Sequence, residues 1–394
     1  MRCLVAHPDI IRRSATGRIN TVSFTPFNLE YVQSIWEQKV DINLTESGVH
    51  PIRLDHLLDG DEGKIADLMS TEINYPHVNG NPELRESIAQ LYDGASVPNV
   101  LVTVGGAEAN NIIMQTLMRP GDELVTMTPT YKQVWGLAEN AGNVVKPFRM
   151  QPDKGWALDI DEMNAQVSDK TRLIAIVNPN NPTGYIMTDD EMDAVVAAAD
   201  RVGAWILADE VYRGTERLQE EETRSFYGLY DKVLAVGSMS KAYGLPGLRI
   251  GWVVGPPDMV EDIWRRHEYT TITATMLSNV LATHALSPEV RPRLIKRTRD
   301  FIRKGFPALE EWMARQDGMF HYTPSQASAV SFIGYNLDIN STELMEKLCR
   351  EASVFVGAGD SFGMDHHLRV AFGQEKAVLD DAFSRIEKTL KSML

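Results

Sequence analysis

One lysine lies in a polar, glycine-rich loop between two apolar stretches that are typical of buried strands. Two hydroxyls precede this lysine, at Ser238 and Ser240, and Arg249 follows Lys241 by eight residues. Hydroxyls and a guanidinium bind a phosphate dianion, and a nearby amine can reach a carbonyl on the same ligand. An amine attacks a carbonyl only in its deprotonated form, which burial beside other cations favours. The residues therefore favour a phosphorylated aldehyde at Lys241 over a surface charge or an ion pair.

These residues belong to a longer motif. The fourteen residues from Ser238 onward read S-x-S-K-x-x-G-x-x-G-x-R-x-G, which resembles the cofactor-lysine signature of the fold-type-I pyridoxal-phosphate enzymes, the class I/II aminotransferases. The resemblance implies pyridoxal 5'-phosphate as the cofactor, a covalent bond from its aldehyde to Lys241, and phosphate contacts from Ser238, Ser240 and Arg249. Further matches follow in the family's order along the chain.

Two polar segments follow fully apolar stretches, where strands are expected to end. One is Asn-Pro-Asn-Asn-Pro-Thr-Gly, which contains Asn181, and the other runs from Asp209 to Tyr212. A carboxylate at the end of a buried strand is unfavourable unless it is paired, although an aspartate in such a turn is more often a surface residue. The resemblance implies that Asp209 pairs with the protonated pyridine nitrogen and that Asn181 and Tyr212 contact the phenolate oxygen. For Asn181, an Asx-capped turn is the alternative.

A glycine turn and two tyrosines match further family positions. The sequence Val-Gly-Gly-Ala-Glu joins an expected strand to an expected helix, and a helix N-terminus offers free amides to an anion. The resemblance implies that the amides of Gly106 and Ala107 hold the phosphate and that Tyr131 stacks on the pyridine ring. Tyr75 lies in a Y-x-x-x-x-G-x-x-x-L-R pattern, whose tyrosine reaches the phosphate of the neighbouring subunit. A homodimer with shared active sites is what this implies.

Two more matches concern the substrate. Arg369 occupies the position of the family arginine that binds the α-carboxylate through a bidentate pair. Gly48 occupies the position of a glycine whose backbone lies against the substrate, and Asn181 also belongs to this substrate-binding set. The family's usual proline before Gly359 is Ala358 in this chain, so the loop there departs from the family pattern.

A short segment resembles a different reaction type. Residues 47–50 read Ser-Gly-Val-His and are similar to a segment of the capreomycidine-synthase type of pyridoxal-phosphate cyclase. In such an enzyme, Glu46 or Asp360 would face a guanidinium-bearing side chain.

The periodicity of the chain predicts how these residues are positioned. Strands are expected at residues 100–104, 123–127, 173–177, 204–208, 232–236 and 250–254. Helices are expected at residues 29–38, at 105–118, and from Pro82, Pro129, Thr188 and Ser287 onward. This alternation predicts an α/β fold with a mostly parallel central sheet and helices on both faces, in which ligands bind at the carboxyl ends of the strands. With the resemblance, we expect a fold-type-I transferase with an N-terminal segment (1–50) packing on a small α+β domain (287–394), and a large cofactor-binding domain (51–286).

Composition limits the partners. The chain has 394 residues and a net charge of −15, which argues against nucleic acid or an anionic membrane as a partner. Two cysteines, Cys3 and Cys349, far apart and outside any metal-binding spacing, suit a reducing cytoplasm. No apolar run has the length of a signal peptide or a membrane span, and no metal site is expected at the adjacent His366 and His367. The basic run from Arg291 to Arg299 is most simply a solvated helix face.

Three functions remain for this chain. The first is an aminotransferase that moves an amino group between an L-amino acid and a 2-oxo acid. The second is a lyase or cyclase that acts on a β- or γ-substituted, for instance hydroxyarginine-like, amino acid. The third is a cofactor-binding regulator without catalysis. It is disfavoured because such regulators carry a winged-helix segment before this domain, and the stretch before Gly48 is short for one.

Overall fold

The computed structural model describes residues 24–393. Its helices are α1 (Asn28–Trp36), α2 (Leu54–Leu57), α3 (Glu62–Met69), α4 (Pro82–Ala89), α5 (Gly105–Leu117), α6 (Gln133–Asn140), α7 (Ile160–Gln166), α8 (Asp189–Val202), α9 (Pro257–His267), α10 (Met276–Ala285), α11 (Arg291–Ala314), α12 (Ser341–Lys347) and α13 (Lys376–Lys391). Its strands are β1 (Ile42–Asn43), β2 (Val100–Thr103), β3 (Glu123–Thr128), β4 (Val144–Gln151), β5 (Ala157–Leu158), β6 (Thr171–Val177), β7 (Trp205–Asp209), β8 (Val233–Ser238), β9 (Gly251–Val254), β10 (Phe320–Tyr322), β11 (Val330–Tyr335), β12 (Val354–Phe355), β13 (Gly357–Ala358) and β14 (His367–Ala371).

A large sheet forms the centre of the molecule, with the strand order β2-β9-β8-β7-β6-β3-β4-β5. Its strands run parallel except β9, which is antiparallel to both of its neighbours, and the short β5 at the edge. Alternate residues of a strand point to opposite faces, and in β8 Leu234 and Val236 pack in the core beside α5 while Ala235 packs in the core beside α4. The expected mostly parallel sheet with helices on both faces is thereby confirmed.

Several strands of this sheet end at one edge. β6 ends at Val177, β7 at Asp209 and β8 at Ser238, and each is followed by one of the polar segments described above. Because β9 runs the opposite way, its first residue, Gly251, pairs with Ser238 on one side and with Thr103 of β2 on the other. The turn from β2 into α5 therefore lies beside the lysine loop.

A smaller antiparallel sheet, in the order β10-β11-β14-β13, forms a separate unit with α11, α12 and α13. Leu44 and Val49 of the N-terminal segment are buried in the same core, and β1 pairs in parallel with β12. The domain boundaries expected from the sequence stay a prediction, because these contacts do not fix where one domain ends.

Several local expectations require correction. The long basic helix begins at Arg291 rather than Ser287, and its Arg299 is buried and paired with Glu216 at 2.5 Å, so its basic run is not simply a solvated face. Helix α6 begins later than the expected Pro129, at Gln133.

Other expectations concern caps, thiols, metals and membranes. The helix expected from Thr188 onward is confirmed as α8, and Thr188 and Glu191 form a capping box at its start. Cys349 is a buried free thiol, whereas Cys3 lies outside the described residues. Within residues 24–393 there is no cluster of possible metal ligands. The same residues contain no helix with the length and apolar character of a membrane span.

Candidate active site

The turn from β2 into α5 and the lysine loop form one end of a cavity of about 420 Å³. Gly105, the first residue of α5, has a φ of +74°, and a Cβ built on it would overlap Nη2 of Arg249. Oγ of Ser238 accepts a hydrogen bond from the Ser240 amide at 2.9 Å, and Nη1 of Arg249 donates to Oγ of Ser240 at 3.4 Å. A helix N-terminus, two hydroxyls and a guanidinium thus converge, as an anion site requires.

Most of the residues predicted from the sequence line this cavity. Those that do are Gly106, Ala107, Tyr131, Asn181, Asp209, Tyr212, Ser238, Ser240, Lys241, Arg249 and Arg369. Gly48 lies behind the lysine, since a Cβ built on it would be 3.8 Å from Cδ of Lys241 and 3.4 Å from the Ser240 carbonyl oxygen. Tyr75 is 83% exposed on the outer surface and does not line the cavity of its own chain.

Asp209 places a buried carboxylate at the end of β7. It is 6% exposed, and it accepts hydrogen bonds from Nδ2 of Asn110 at 3.0 Å and from the Val211 amide at 3.3 Å. Burial raises the pKa of Asp209, against the lowering effect of those bonds and of the Lys241 charge. Asn110 is a cavity residue that the sequence analysis missed, although it follows Gly106 by four residues and so shares its helix face.

Arg369 is a buried residue of the same cavity wall. It is 3% exposed, and its Nη1 donates to Oδ1 of Asn181 at 3.0 Å while its Nη2 donates to the Thr45 carbonyl at 2.6 Å. Burial lowers the pKa of Arg369. Its Nε is buried without a hydrogen-bond partner among residues 24–393, and such a donor is unfavourable unless a ligand satisfies it.

The N-terminal segment forms the remaining wall. The hydroxyl of Tyr131 donates to Oε1 of Glu30 at 2.7 Å, and the ring of Phe27 meets the Tyr131 ring edge-on at 5.0 Å. The hydroxyl of Tyr212 donates to Oγ of Ser47 at 2.8 Å.

Next to Ser47, Glu46 accepts a hydrogen bond from Nε2 of Gln33 at 2.6 Å. Asp360, the other residue proposed to face a guanidinium, does not line the cavity and instead accepts from Oγ1 of Thr342 at 3.0 Å. Phe27, expected from its residue type to pack in the core or as a lid, packs against the buried core and also lines the cavity. Glu30 and Gln33 line it as well, and they were missed because sequence spacing does not place α1 near the sheet edge.

The chemistry of these donors fits pyridoxal 5'-phosphate. The anion cradle suits its phosphate, and the buried Asp209 carboxylate suits a protonated ring nitrogen. Lys241 lines the same cavity, and its charge acts on Asp209. The guanidinium of Arg369, which also lines the cavity, suits the carboxylate of an amino acid.

Fold and site together define an enzyme of the pyridoxal-phosphate-dependent α/β class. Residues 56–386 match the family model "Aminotransferase class I and II", and the chain belongs to this family, whose cofactor is pyridoxal 5'-phosphate.

Two relatives and one solved structure illustrate the similarity. Capreomycidine synthase of Streptomyces vinaceus is 29% identical over 319 residues, which cover 79% of each chain. An aspartate aminotransferase of Streptomyces avermitilis is 27% identical over 335 residues, covering 80% of this chain and 81% of the relative. A PLP-dependent aminotransferase from Streptococcus suis superposes with a TM-score of 0.87 at 28% identity, covering 94% of this chain and 99% of that chain.

Proposed function

We propose that this protein is an aminotransferase that moves an amino group between an L-amino acid and a 2-oxo acid. The observation that carries the proposal is that one cavity unites Lys241, the buried carboxylate of Asp209, and Arg369 with its unsatisfied Nε. This reaction requires an amine that moves a proton, a carboxylate that pairs with the cofactor ring, and a cation that binds the substrate carboxylate.

Each wall of the cavity contributes to the proposed reaction. When bound, pyridoxal 5'-phosphate supplies an electron sink that stabilises negative charge at the substrate Cα. The amine of Lys241 would take the proton from the substrate Cα, and Asp209 would pair with the protonated ring nitrogen. Tyr131 would pack on the ring, and Asn181 and Tyr212 would contact its phenolic oxygen.

Two groups of residues would bind the anionic parts of cofactor and substrate. The amides and side chains of the anion cradle, namely Gly106, Ala107, Ser238, Ser240 and Arg249, would hold the phosphate. Arg369 and Asn181, with the backbone of Gly48 behind Lys241, orient the substrate by its α-carboxylate.

We further propose a cytoplasmic homodimer in which each subunit completes the other's site. Tyr75 would contact the phosphate bound in the neighbouring subunit. Its 83% exposure, and that of the apolar side chains of Met69 (81%) and Ile73 (84%) close to it in sequence, support burial of this segment by a second copy.

A lyase or cyclase is the second candidate. It is favoured by the 29% identity to capreomycidine synthase and by residues 47–50, whose Ser47 contacts the Tyr212 hydroxyl. The cofactor cradle serves both reactions and does not choose between them.

The experiment that separates the two is a single half-reaction. The purified holoenzyme is mixed with one amino acid at a time, without a keto acid, while the visible spectrum of the cofactor is followed. An aminotransferase converts the cofactor stably to its amine form and releases one equivalent of keto acid. Recovery of the starting spectrum with an eliminated or cyclised product would instead establish the second candidate.

The role of Lys241 is tested by Lys241→Ala. We expect turnover to fall about 10³-fold or more, because the variant loses the group that moves the proton. Lys170→Ala, at an exposed position outside the cavity, is the matched control and should keep wild-type turnover. Unchanged turnover in Lys241→Ala would refute the assignment.

A further inference from the structure

Asn110 is a buried side chain of the cavity to which the proposed function gives no role. It follows Gly106 by four residues on α5, is 2% exposed, and lines the cavity. Its Nδ2 donates to Oδ2 of Asp209 at 3.0 Å and to Oε1 of Gln133 at 3.2 Å. These two bonds use both hydrogens of the amide nitrogen. Asn110 is thus fully committed as a donor, and one of its two acceptors is the carboxylate proposed to face the cofactor ring.

Gln133 determines which end of the Asn110 amide faces Asp209. Nε2 of Gln133 donates to the carbonyl oxygen of Ala107 at 2.8 Å. Because a carbonyl oxygen can only accept, Gln133 turns its own oxygen towards Asn110, which presents its nitrogen in return. An ionised carboxylate also only accepts, so Asp209 favours the same orientation of Asn110. A chain of three oriented hydrogen bonds therefore connects the first turn of α5 to the end of β7.

The hydrogen bond from Asn110 favours the ionised form of Asp209. Burial raises the pKa of Asp209, and the bond from Asn110 opposes burial more strongly than the charge of Lys241 does. The other titratable groups that feel the charge of Asp209 are Glu210 and Tyr131, both of them acids that supply no positive charge. Ionisation of Asp209 in this structure therefore depends largely on Asn110.

From these contacts we propose that Asn110, oriented by Gln133, is a positioning residue that keeps Asp209 ionised and thereby keeps the proton on the ring nitrogen of the cofactor. The inference rests on the proposed function for the pairing of Asp209 with that nitrogen. In such a pair a single proton lies between a carboxylate and a pyridine nitrogen. A hydrogen bond donated to the carboxylate stabilises the form in which the nitrogen holds the proton, and the electron sink depends on this form.

The test locates this proton without any turnover. Holoenzyme is prepared with pyridoxal 5'-phosphate that carries an NMR-active nitrogen isotope in its ring, because the nitrogen chemical shift distinguishes a protonated from an unprotonated ring. Wild type should give the signal of a protonated nitrogen. Asn110→Leu nearly keeps the size of the side chain but removes the donor. It should shift the ratio of the two proton positions about tenfold or more towards Asp209, as expected for the loss of one hydrogen bond to a charged group.

Two further variants locate the effect. Gln133→Leu removes the group that orients Asn110 but leaves Asn110 in place, so it should move the nitrogen signal in the same direction by a smaller amount. Asn111→Leu makes the same substitution as Asn110→Leu at the next position of α5, outside the cavity, and should keep the wild-type signal.

A second measurement decides the matter if Asn110→Leu does not retain the cofactor. Urea unfolding is compared for apoproteins that carry Asn110→Leu, Asp209→Asn or both. At neutral pH, Asn110→Leu should reduce the folding equilibrium constant about tenfold or more beyond its effect in the Asp209→Asn chain. This difference should shrink in acid, where Asp209 is protonated. If Asn110 served only to fill space, its replacement would have the same effect in both chains and at both pH values.

The inference would be overturned by an unchanged nitrogen signal in Asn110→Leu, by an unprotonated ring nitrogen in wild type, or by equal effects of Asn110→Leu on stability with and without Asp209. None of these measurements follows the fate of an amino acid. Failure of the inference is therefore distinguishable from failure of the aminotransferase proposal, which the half-reaction experiment tests.

Discussion

At the scale of single residues, Asp209 of the candidate site is expected to lower the stability of the protein without its cofactor. Asp209 is a carboxylate with 6% exposure, supported by one side-chain and one backbone donor and, within residues 24–393, by no cation in hydrogen-bond contact. Burial of an ionised carboxylate is unfavourable unless a positive partner is present, and the proposed partner belongs to the cofactor. We therefore expect Asp209 to strengthen cofactor binding and to lower the stability of the apoprotein.

Asp209→Asn tests this conflict. Because burial raises the pKa of Asp209, the folded apoprotein binds a proton there more tightly than the unfolded chain, and ionisation lowers the free energy of unfolding as the pH rises. At neutral pH the variant apoprotein should be more stable than wild type by about 1 kcal/mol, and the difference should vanish in acid. Turnover of the holoenzyme should fall about 10²–10³-fold.

Urea unfolding of the apoproteins between acidic and neutral pH measures the first effect, and steady-state kinetics measures the second. Lower stability of Asp209→Asn at neutral pH would show that the bonds from Asn110 and Val211 outweigh the burial penalty. Such a result would contradict the proposed partnership with a ring nitrogen.

At the scale of elements, the sequence predicts the strand positions and helix ends that depend on residues close together in the chain. The strands around the site were located within a few residues because they are continuous apolar runs, and the ends of α8 follow from the capping box at Thr188 and the glycine at Gly203. Tertiary contacts override such signals elsewhere. Asn81 lies at the N-cap of α4 as its residue type suggests, but its side chain makes no cap bond. Its backbone N–H donates to Oδ1 of Asn279 in α10.

The turn from β2 into α5 yields the second prediction at this scale. Gly105 and Gly94 have nearly equal positive φ values, +74° and +77°, but a Cβ would overlap Arg249 only at Gly105, whereas nothing lies within 4 Å at Gly94. Alanine should therefore strain the backbone equally at both positions, by about 1–2 kcal/mol. Only Gly105→Ala should displace the guanidinium and weaken cofactor binding, by about tenfold or more.

Cofactor dissociation constants and urea unfolding of the two variants check this expectation. The strain shared by both substitutions makes Gly94→Ala a control for stability. Equal cofactor affinity in the two variants would mean that Arg249 does not depend on the space left by Gly105.

At the scale of the whole molecule, the cavity is assembled from segments far apart in the chain. Motifs identified the residues at the sheet edge, because the order of strands brings their ends together. They gave no sign that Glu30 would contact Tyr131 across 101 positions, because such contacts depend on how the N-terminal segment packs on the small sheet. For the same reason, the sequence left Glu46 and Asp360 as equal candidates, and the packing distinguishes them.

The proposed homodimer gives the last prediction, since a shared site allows two inactive subunits to complement each other. Lys241→Ala removes the reactive amine and Tyr75→Ala removes the phosphate contact proposed to come from the partner, so each homodimer should be impaired at both sites. Half of the dimers in an equal, re-equilibrated mixture are hybrids, and each hybrid has one site with both residues intact. The mixture should therefore recover about one quarter of wild-type turnover, as the two-site arithmetic of an isologous dimer requires. Recovery should depend on subunit exchange, so activity assayed immediately after mixing is the control. Turnover that never exceeds the average of the two separate variants would show that Tyr75 acts within its own subunit or not at all.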